Sequence, residues 1–126
     1  MQTNPVGWFE IYVDDMERAK AFYESVFGVS LERIGDEAKV DIEMWGFPSN
    51  MEQYGASGAL AKMDGVAAGG NSTMVYFSCQ DCAVEEARVN DAGGQVAHNK
   101  FSIGPHGFIS VVADTEGNMI GLHSMV

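Results

Sequence analysis

The chain has 126 residues, of which 46% are hydrophobic and 20% charged, and this length fits one domain with its own hydrophobic core. Eighteen acidic residues against seven basic ones give a formal net charge of −11, which excludes the basic patch that nucleic acids and anionic membranes require. The sequence shows neither a signal peptide nor an apolar run near the roughly 18 residues of a membrane span. We therefore expect a soluble cytoplasmic protein whose partner is a neutral or cationic small molecule.

The first predicted element is a strand at residues 7–13, which is rich in aromatic and β-branched residues. A helix to about Phe27 follows, because Asp14 and Asp15 can cap its free N–H groups and Gly28 supplies the left-handed residue that ends it. Three more strands are predicted at residues 29–34, 37–45 and 58–62, with a turn at 35–36 and a loop at 47–57.

The second half repeats the order of the first. A strand at residues 73–79 precedes Asp81, which caps a helix at about 82–92 that Gly93 and Gly94 end. Asp81 stands 66 residues after Asp15, and strands at 95–98, 108–113 and 119–124 complete the pattern. The sequence predicts one α+β domain of two tandem βαβββ repeats, with repeat one at about 6–62, a linker at about 63–72 and repeat two at about 73–126.

Three segments resemble a known family. They are WFEIYVDD at 8–15, AKAFYESVFG at 19–28 and DTEGNMIGLHS at 114–124. Together with the repeated βαβββ order, they resemble the vicinal oxygen chelate superfamily, which includes glyoxalases, bleomycin-resistance proteins and extradiol dioxygenases. The resemblance implies curled mixed sheets around a concave pocket and a two-fold homodimer. It specifies the fold more than the activity, because members of this superfamily catalyse unrelated reactions.

The resemblance also implies where a divalent metal would bind, since metal-dependent members place four ligands on the inner strand faces. The matching residues here are Trp8, Met74 and Gly121, and the fourth place falls within residues 58–62, which offer no suitable donor. Indole and glycine cannot coordinate the ion, and a thioether is too soft for a hard oxygen-type site. We therefore expect no metal cofactor at the usual place, while a non-standard site that uses His98, His106 or His123 stays open.

The alternation of side chains along the strands predicts which residues face the pocket. In the first strand, Phe9, Ile11 and Val13 form a uniform apolar set suited to packing against the helices, so the other set faces the pocket. The first and last strands of the second half alternate in the same way. The predicted ligand-binding residues are Trp8, Tyr12, Met74, Tyr76, Ser78 and Met119, beside Glu10 and His123.

Glu10 and His123 are the candidate catalytic residues. Glu10 lies between Trp8 and Tyr12 in the pocket-facing set, where partial desolvation would suit a general base. It could equally bind a cationic ligand beside the indole, or be a solvated strand residue. His123 could transfer a proton or bind a ligand oxygen, or it could be a hydrogen-bonded structural histidine.

Three functions therefore stay open: an enzyme of glyoxalase-like or dioxygenase-like type, a protein that sequesters a drug or metabolite without turnover, and a redox module. The redox hypothesis rests on Cys79 and Cys82, a C-x-x-C pair at a strand-to-helix junction, which could equally be two structural cysteines. Two segments could cover the pocket mouth: the aromatic loop with Phe47, Met51 and Tyr54, and the loop at 99–107, which has His98 just before it and His106 near its end. The first could instead form a dimer contact, and the second a solvated hairpin.

Overall fold

The computed structural model describes residues 4, 6, 8–35 and 42–126. The first half contains strand β1 (Phe9–Tyr12), helix α1 (Met16–Phe27), and strands β2 (Glu32–Ile34), β3 (Ile42–Gly46) and β4 (Gly58–Met63). The second half contains β5 (Tyr76–Ser78), α2 (Cys82–Val89), β6 (Gln95–Ser102), a 3₁₀ turn (Gly104–His106), β7 (Phe108–Ala113) and β8 (Met119–Ser124). Asp36 of the predicted turn and the start of the strand predicted at 37–45 lie outside the described residues.

Each half forms one four-stranded mixed sheet. The strand orders are β1-β4-β3-β2 and β5-β8-β7-β6, in which β1 pairs parallel with β4 and β5 pairs parallel with β8. All other pairings are antiparallel. This arrangement confirms the predicted α+β architecture of two βαβββ units, and the two sheets do not close into a barrel.

Both helices begin at the predicted aspartates. The side chain of Asp15 accepts a hydrogen bond from the backbone N–H of Arg18 at 3.1 Å, and Asp81 accepts one from the N–H of Ala83 at 3.0 Å. Gly28 ends α1 in the left-handed conformation, at φ 64°. Helix α2 ends at Val89, before the predicted glycines, so the prediction of a helix to residue 92 is wrong at its C-terminal end.

The core lies between the helices and one face of each sheet. Phe22, Tyr23, Leu60 and Leu122 are fully buried there, and Tyr23 donates a hydrogen bond to the Asp114 carboxylate at 2.7 Å. Five aromatic side chains, Phe9, Tyr23, Phe27, Phe47 and Phe77, pack against one another at ring-centroid distances from 4.5 to 6.2 Å. Phe47 is therefore a core-packing residue, whereas Met51 and Tyr54 of the same loop are exposed.

Strand β6 is longer than predicted. The sequence predicted a strand at 95–98 and a loop at 99–107, whereas the strand continues to Ser102 in an antiparallel pair with β7. Irregular register divides this pairing on both sides of His98, and most β6 side chains are exposed. A strand with a solvated face and shifts in register lacks the regular alternation of apolar and polar residues. This explains why the polar sequence of β6 resembled a loop. In the described part of the chain, neither helix has the length and apolar character needed to cross a membrane.

Candidate functional site

An open cleft of about 1340 Å³ lies beside β1 and β5, which are edge strands of the two sheets. The two strands approach each other through Phe9 and Phe77, whose ring centroids are 5.8 Å apart. The cleft is also bordered by residues 53–56, which precede β4, and by part of the segment between the two halves. Seven of the predicted pocket residues line it: Trp8, Glu10, Tyr12, Met74, Tyr76, Ser78 and Met119.

The Glu10 carboxylate is held by hydrogen bonds from both of its strand neighbours. The hydroxyl of Tyr12 donates to Oε1 at 2.9 Å, and the indole N–H of Trp8 donates to Oε2 at 3.3 Å. The hydrogen bond to Glu10, together with burial and the negative charge of that carboxylate, raises the pKa of Tyr12, so the phenol stays a donor. Glu10 itself is exposed, so the predicted partial desolvation is wrong.

Glu10 dominates the electrostatics of the cleft. Among the cleft-lining residues of the described chain, it alone carries a charged side chain. The remaining lining is aromatic, aliphatic or neutral polar, and Trp8 is 46% exposed. The cleft therefore presents one oriented anion on a largely apolar surface, an arrangement that attracts cations and offers aromatic faces to them.

Tyr76 lies directly over Gly121 on the neighbouring strand. The two residues are paired in the parallel register of β5 and β8. A Cβ atom built on Gly121 would lie only 2.2 and 2.3 Å from the Cδ1 and Cε1 atoms of the Tyr76 ring. The ring therefore rests on bare backbone, and only glycine leaves room for it. Tyr76 is still 48% exposed, so part of its ring is open to the cleft.

The structure does not place His123 in the cleft. Its Nε2 lies 2.7 Å from the backbone oxygen of His106, and because a carbonyl only accepts, Nε2 carries the proton. In the β5–β8 register His123 is paired with Ser78, two residues after Tyr76. Glu10 and His123 therefore do not converge on the same cleft, and His106 belongs to a turn that holds the His123 ring.

The strand register identifies the fourth place at which the family would position a metal ligand. Glu10 and Tyr76 are equivalent in the two halves, since each stands five residues before a helix N-cap. Tyr76 pairs with Gly121, which is one of the metal places, and Glu10 pairs with Ala59, which is therefore the equivalent place in the first half. The four places are thus Trp8, Ala59, Met74 and Gly121. These side chains include no carboxylate, imidazole or thiolate, so they do not fit a divalent metal ion. Elsewhere in the described residues, no group of three or more His, Cys, Asp or Glu side chains is arranged to hold one.

The thiols at the start of α2 differ from an activated redox pair. Burial, followed by the nearby Glu85 carboxylate, raises the pKa of Cys79 to about 12. Cys82 is fully buried, and both thiols are free. A thiol with so high a pKa carries little thiolate near neutral pH, which agrees with the structural interpretation of the C-x-x-C pair.

Sequence reasoning missed the contribution of the segment between the halves. Asn71 donates to the backbone oxygen of Met119 and accepts from its N–H, both at 2.9 Å, as a paired strand residue would do. The N–H of Gly69 donates to Asn118 at 2.8 Å. Residues 66, 67, 69 and 71–73 therefore form part of the cleft wall. The one sequence signal was an asparagine within a glycine-rich stretch, a residue whose amide can substitute for backbone groups.

Comparison with known proteins identifies the family. A family model for the Glyoxalase/Bleomycin resistance protein/Dioxygenase superfamily matches residues 6–122. The chain belongs to this superfamily. The recognition made from the residues at 8–15, 19–28 and 114–124 is thereby confirmed. No curated protein matches the chain.

Several solved structures share the fold. Glyoxalase I from Zea mays superimposes with a TM-score of 0.74 at 21% identity, over 96% of this chain and 46% of the maize chain. The present chain thus spans less than half of that protein. A glyoxalase/bleomycin resistance protein from Albidiferax ferrireducens gives a TM-score of 0.67 at 20% identity, over 94% of this chain and 98% of that one. TnmS3, an antibiotic binding protein from Streptomyces sp. CB03234, gives a TM-score of 0.66 at 25% identity and covers 98% of both chains.

Proposed function

We propose that this superfamily member binds a small aromatic cation in the cleft beside β1 and β5. The observation that carries the proposal is the Glu10 carboxylate, which Trp8 and Tyr12 orient by hydrogen bonds. Among the described residues that line the cleft, Glu10 is the one with a charged side chain. A fixed carboxylate between aromatic side chains attracts a positive group by charge and by cation–π contact. The formal net charge of −11 adds a long-range attraction for cations.

The donor chemistry of the family's metal places supports binding of an organic cation over metal-dependent catalysis. Trp8 and Met74 present bulky apolar groups to the cleft there, while Ala59 and Gly121 are buried and lie outside its lining. Such a surface suits contact with a ligand's carbon skeleton. TnmS3, which aligns with this chain over almost its whole length, is an antibiotic binding protein, so a fold of this kind can bind a small organic molecule.

A catalytic role for Glu10 with His123 has weaker support. Both Glu10 oxygens already accept hydrogen bonds, and His123 is bonded to a backbone carbonyl outside the cleft-lining set. A general base needs its partner groups within hydrogen-bond reach of the same reacting atoms. The pair gives no such arrangement, so binding is the function proposed here.

The test is calorimetric titration with benzyltrimethylammonium, an aromatic cation, and with benzenesulfonate, an aromatic anion of similar size. The proposal expects saturable binding of the cation and none of the anion. In Glu10→Gln the cation should bind about ten-fold more weakly, because the variant removes the charge while keeping a similar shape.

Glu52→Gln is the matched control, since it removes one negative charge from an exposed residue outside the cleft lining. It should weaken binding much less than Glu10→Gln does, because water and salt screen an exposed charge outside the cleft lining. Equal weakening in both variants would mean that the overall charge, and not the cleft, attracts the probe. Absence of any binding to the unmodified chain would overturn the proposal.

A further inference from the structure

The two halves place different chemistry at equivalent positions of the cleft. Glu10 and Tyr76 each stand five residues before a helix N-cap, and each is paired across a parallel register with a very small residue. One half therefore contributes an anion and the other an aromatic ring. Residues of both strands line the same cleft, so one ligand can contact both positions.

We propose that Tyr76, seated on Gly121, is the specificity-determining residue of the cleft and selects ligands that carry a flat ring next to their positive charge. This inference rests on the proposed function and adds the ligand class to it. Glu10 attracts the positive charge of a ligand, and it would attract any small cation in the same way. Tyr76 supplies the preference for an aromatic cation over an aliphatic one.

The packing of Tyr76 suits it to this role. Because its ring atoms Cδ1 and Cε1 already rest on the Gly121 backbone, the side chain cannot fold further onto the sheet. The ring thus remains a flat surface that is half exposed without a ligand. Aromatic rings gain an additional attraction from each other's stacked or edge-on contact that a saturated ring does not provide.

Two other exposed rings line the cleft, Trp8 on β1 and Tyr54 in the loop before β4. Trp8 is placed differently from Tyr76. Its indole N–H is engaged by Glu10, so its position is coupled to that carboxylate. In the described residues the Tyr76 hydroxyl has no hydrogen-bond partner, which leaves it free to donate to a ligand oxygen or nitrogen. Removal of Tyr76 should therefore change ligand preference without disturbing the Glu10 anchor.

The experiment compares two probes of equal charge. Benzyltrimethylammonium and (cyclohexylmethyl)trimethylammonium differ in whether the six-membered ring is aromatic. Calorimetry on the unmodified chain should give about 3- to 10-fold tighter binding of the aromatic probe. In Tyr76→Leu the two affinities should become equal within about two-fold, whereas Tyr76→Phe should keep the preference because it keeps the ring.

Two further variants make the result decisive. Gly121→Ala keeps the tyrosine at position 76 but displaces its ring from the Gly121 backbone. It should reduce the preference as Tyr76→Leu does, and near-ultraviolet circular dichroism checks that the chain is folded. Glu10→Gln should weaken both probes by a similar factor and leave their ratio unchanged. If Glu10→Gln weakens both while Tyr76→Leu keeps the aromatic preference, the Tyr76 inference is overturned and the proposed function stands. If neither probe binds, or Glu10→Gln affects neither, the proposed function fails and this inference fails with it.

Discussion

At the scale of single residues, the hydrogen bonds to Glu10 fix where negative charge lies in the cleft. The raised pKa of Tyr12 follows first from its hydrogen bond to Glu10 and then from burial and from the charge of that carboxylate. Glu10→Gln removes the charge, so the pKa of Tyr12 should fall toward its ordinary value of 10.0. A ¹³C NMR titration of the tyrosine ring carbons measures this shift.

The same titration contains its own reference. Burial and the Asp114 carboxylate raise the pKa of Tyr23 well above its ordinary value. Glu10 is not among the causes of this shift. Tyr23 should therefore respond in the same way in both proteins. If the pKa of Tyr12 is unchanged in Glu10→Gln, the hydrogen bond between the two side chains does not exist in solution.

Cys79 provides a second prediction at this scale. With a pKa of about 12, its thiol is almost fully protonated at pH 8 and should react slowly with Ellman's reagent. Cys82 is fully buried and should also react slowly in the native protein, whereas both thiols should react at once in urea. Rapid modification of one thiol in the folded protein would contradict this account and would revive the redox hypothesis.

The sequence predicted which residues line the cleft better than it predicted the contacts that those residues make. The alternation in β1 and β5 predicted that Trp8, Glu10 and Tyr76 face one cleft. All three line it, but so do Phe9 and Phe77 of the opposite set, so the lining does not separate the two faces. The contact of His123 with the His106 carbonyl was not predictable, since it depends on how a turn folds back over β8. Whether the seven cleft residues bind a ligand stays a prediction.

At the scale of elements, one carboxylate joins the first helix to the second sheet. Glu116, in the turn between β7 and β8, accepts hydrogen bonds from Arg18 and from the backbone N–H groups of Asp14 and Asp15. Burial opposes ionisation of Glu116, but these hydrogen bonds, with one from Thr115, outweigh it and lower its pKa to about 2. The contact therefore stabilises the fold only while Glu116 is ionised.

This linkage predicts how stability depends on pH. Because the pKa of Glu116 falls from 4.5 to about 2 on folding, its contribution is complete above pH 4.5 and is lost as the pH falls toward 2. Glu116→Gln should lower the free energy of unfolding at pH 7 by about 1–3 kcal/mol and should flatten the decline below pH 4.5. Urea unfolding across this pH range measures both effects.

Glu17→Gln is the control for that measurement. Glu17 is exposed on α1 and makes a 3.7 Å ion pair with Lys20. Its replacement should change the free energy of unfolding by about 0.5 kcal/mol or less and should keep the decline at acid pH. The interpretation of Glu116 fails if the two variants behave alike.

Helix starts were predictable because capping is a local interaction, and Asp15 and Asp81 cap their helices as expected. Strand β6 and the segment around Asn71 were not, since both depend on distant partners. Glu86 holds β6 by accepting hydrogen bonds from the N–H of Lys100 and the hydroxyl of Ser110, and Asn71 pairs with the backbone of β8. No periodicity within either segment encodes those contacts.

At the scale of the whole molecule, the family fold is present while the residues at its metal places lack suitable donors. We expect that Zn²⁺, Ni²⁺, Mn²⁺ and Fe²⁺ give no stoichiometric tight binding by calorimetry, and that a chelator leaves the melting temperature unchanged. A metal that binds tightly in equal stoichiometry would show that the donor set is wrongly placed. The two-fold homodimer implied by the resemblance also stays a prediction.

We expect an aromatic cation to occupy the cleft between Glu10 and Tyr76. NMR spectroscopy of the protein saturated with benzyltrimethylammonium tests this most directly, through nuclear Overhauser effects from the probe to aromatic side chains. We predict contacts from the probe's methyl protons to the Trp8 indole and from its ring protons to Tyr76. Contacts only to rings of the second sheet outside the cleft lining, such as Phe101, or none at saturation, would contradict this prediction.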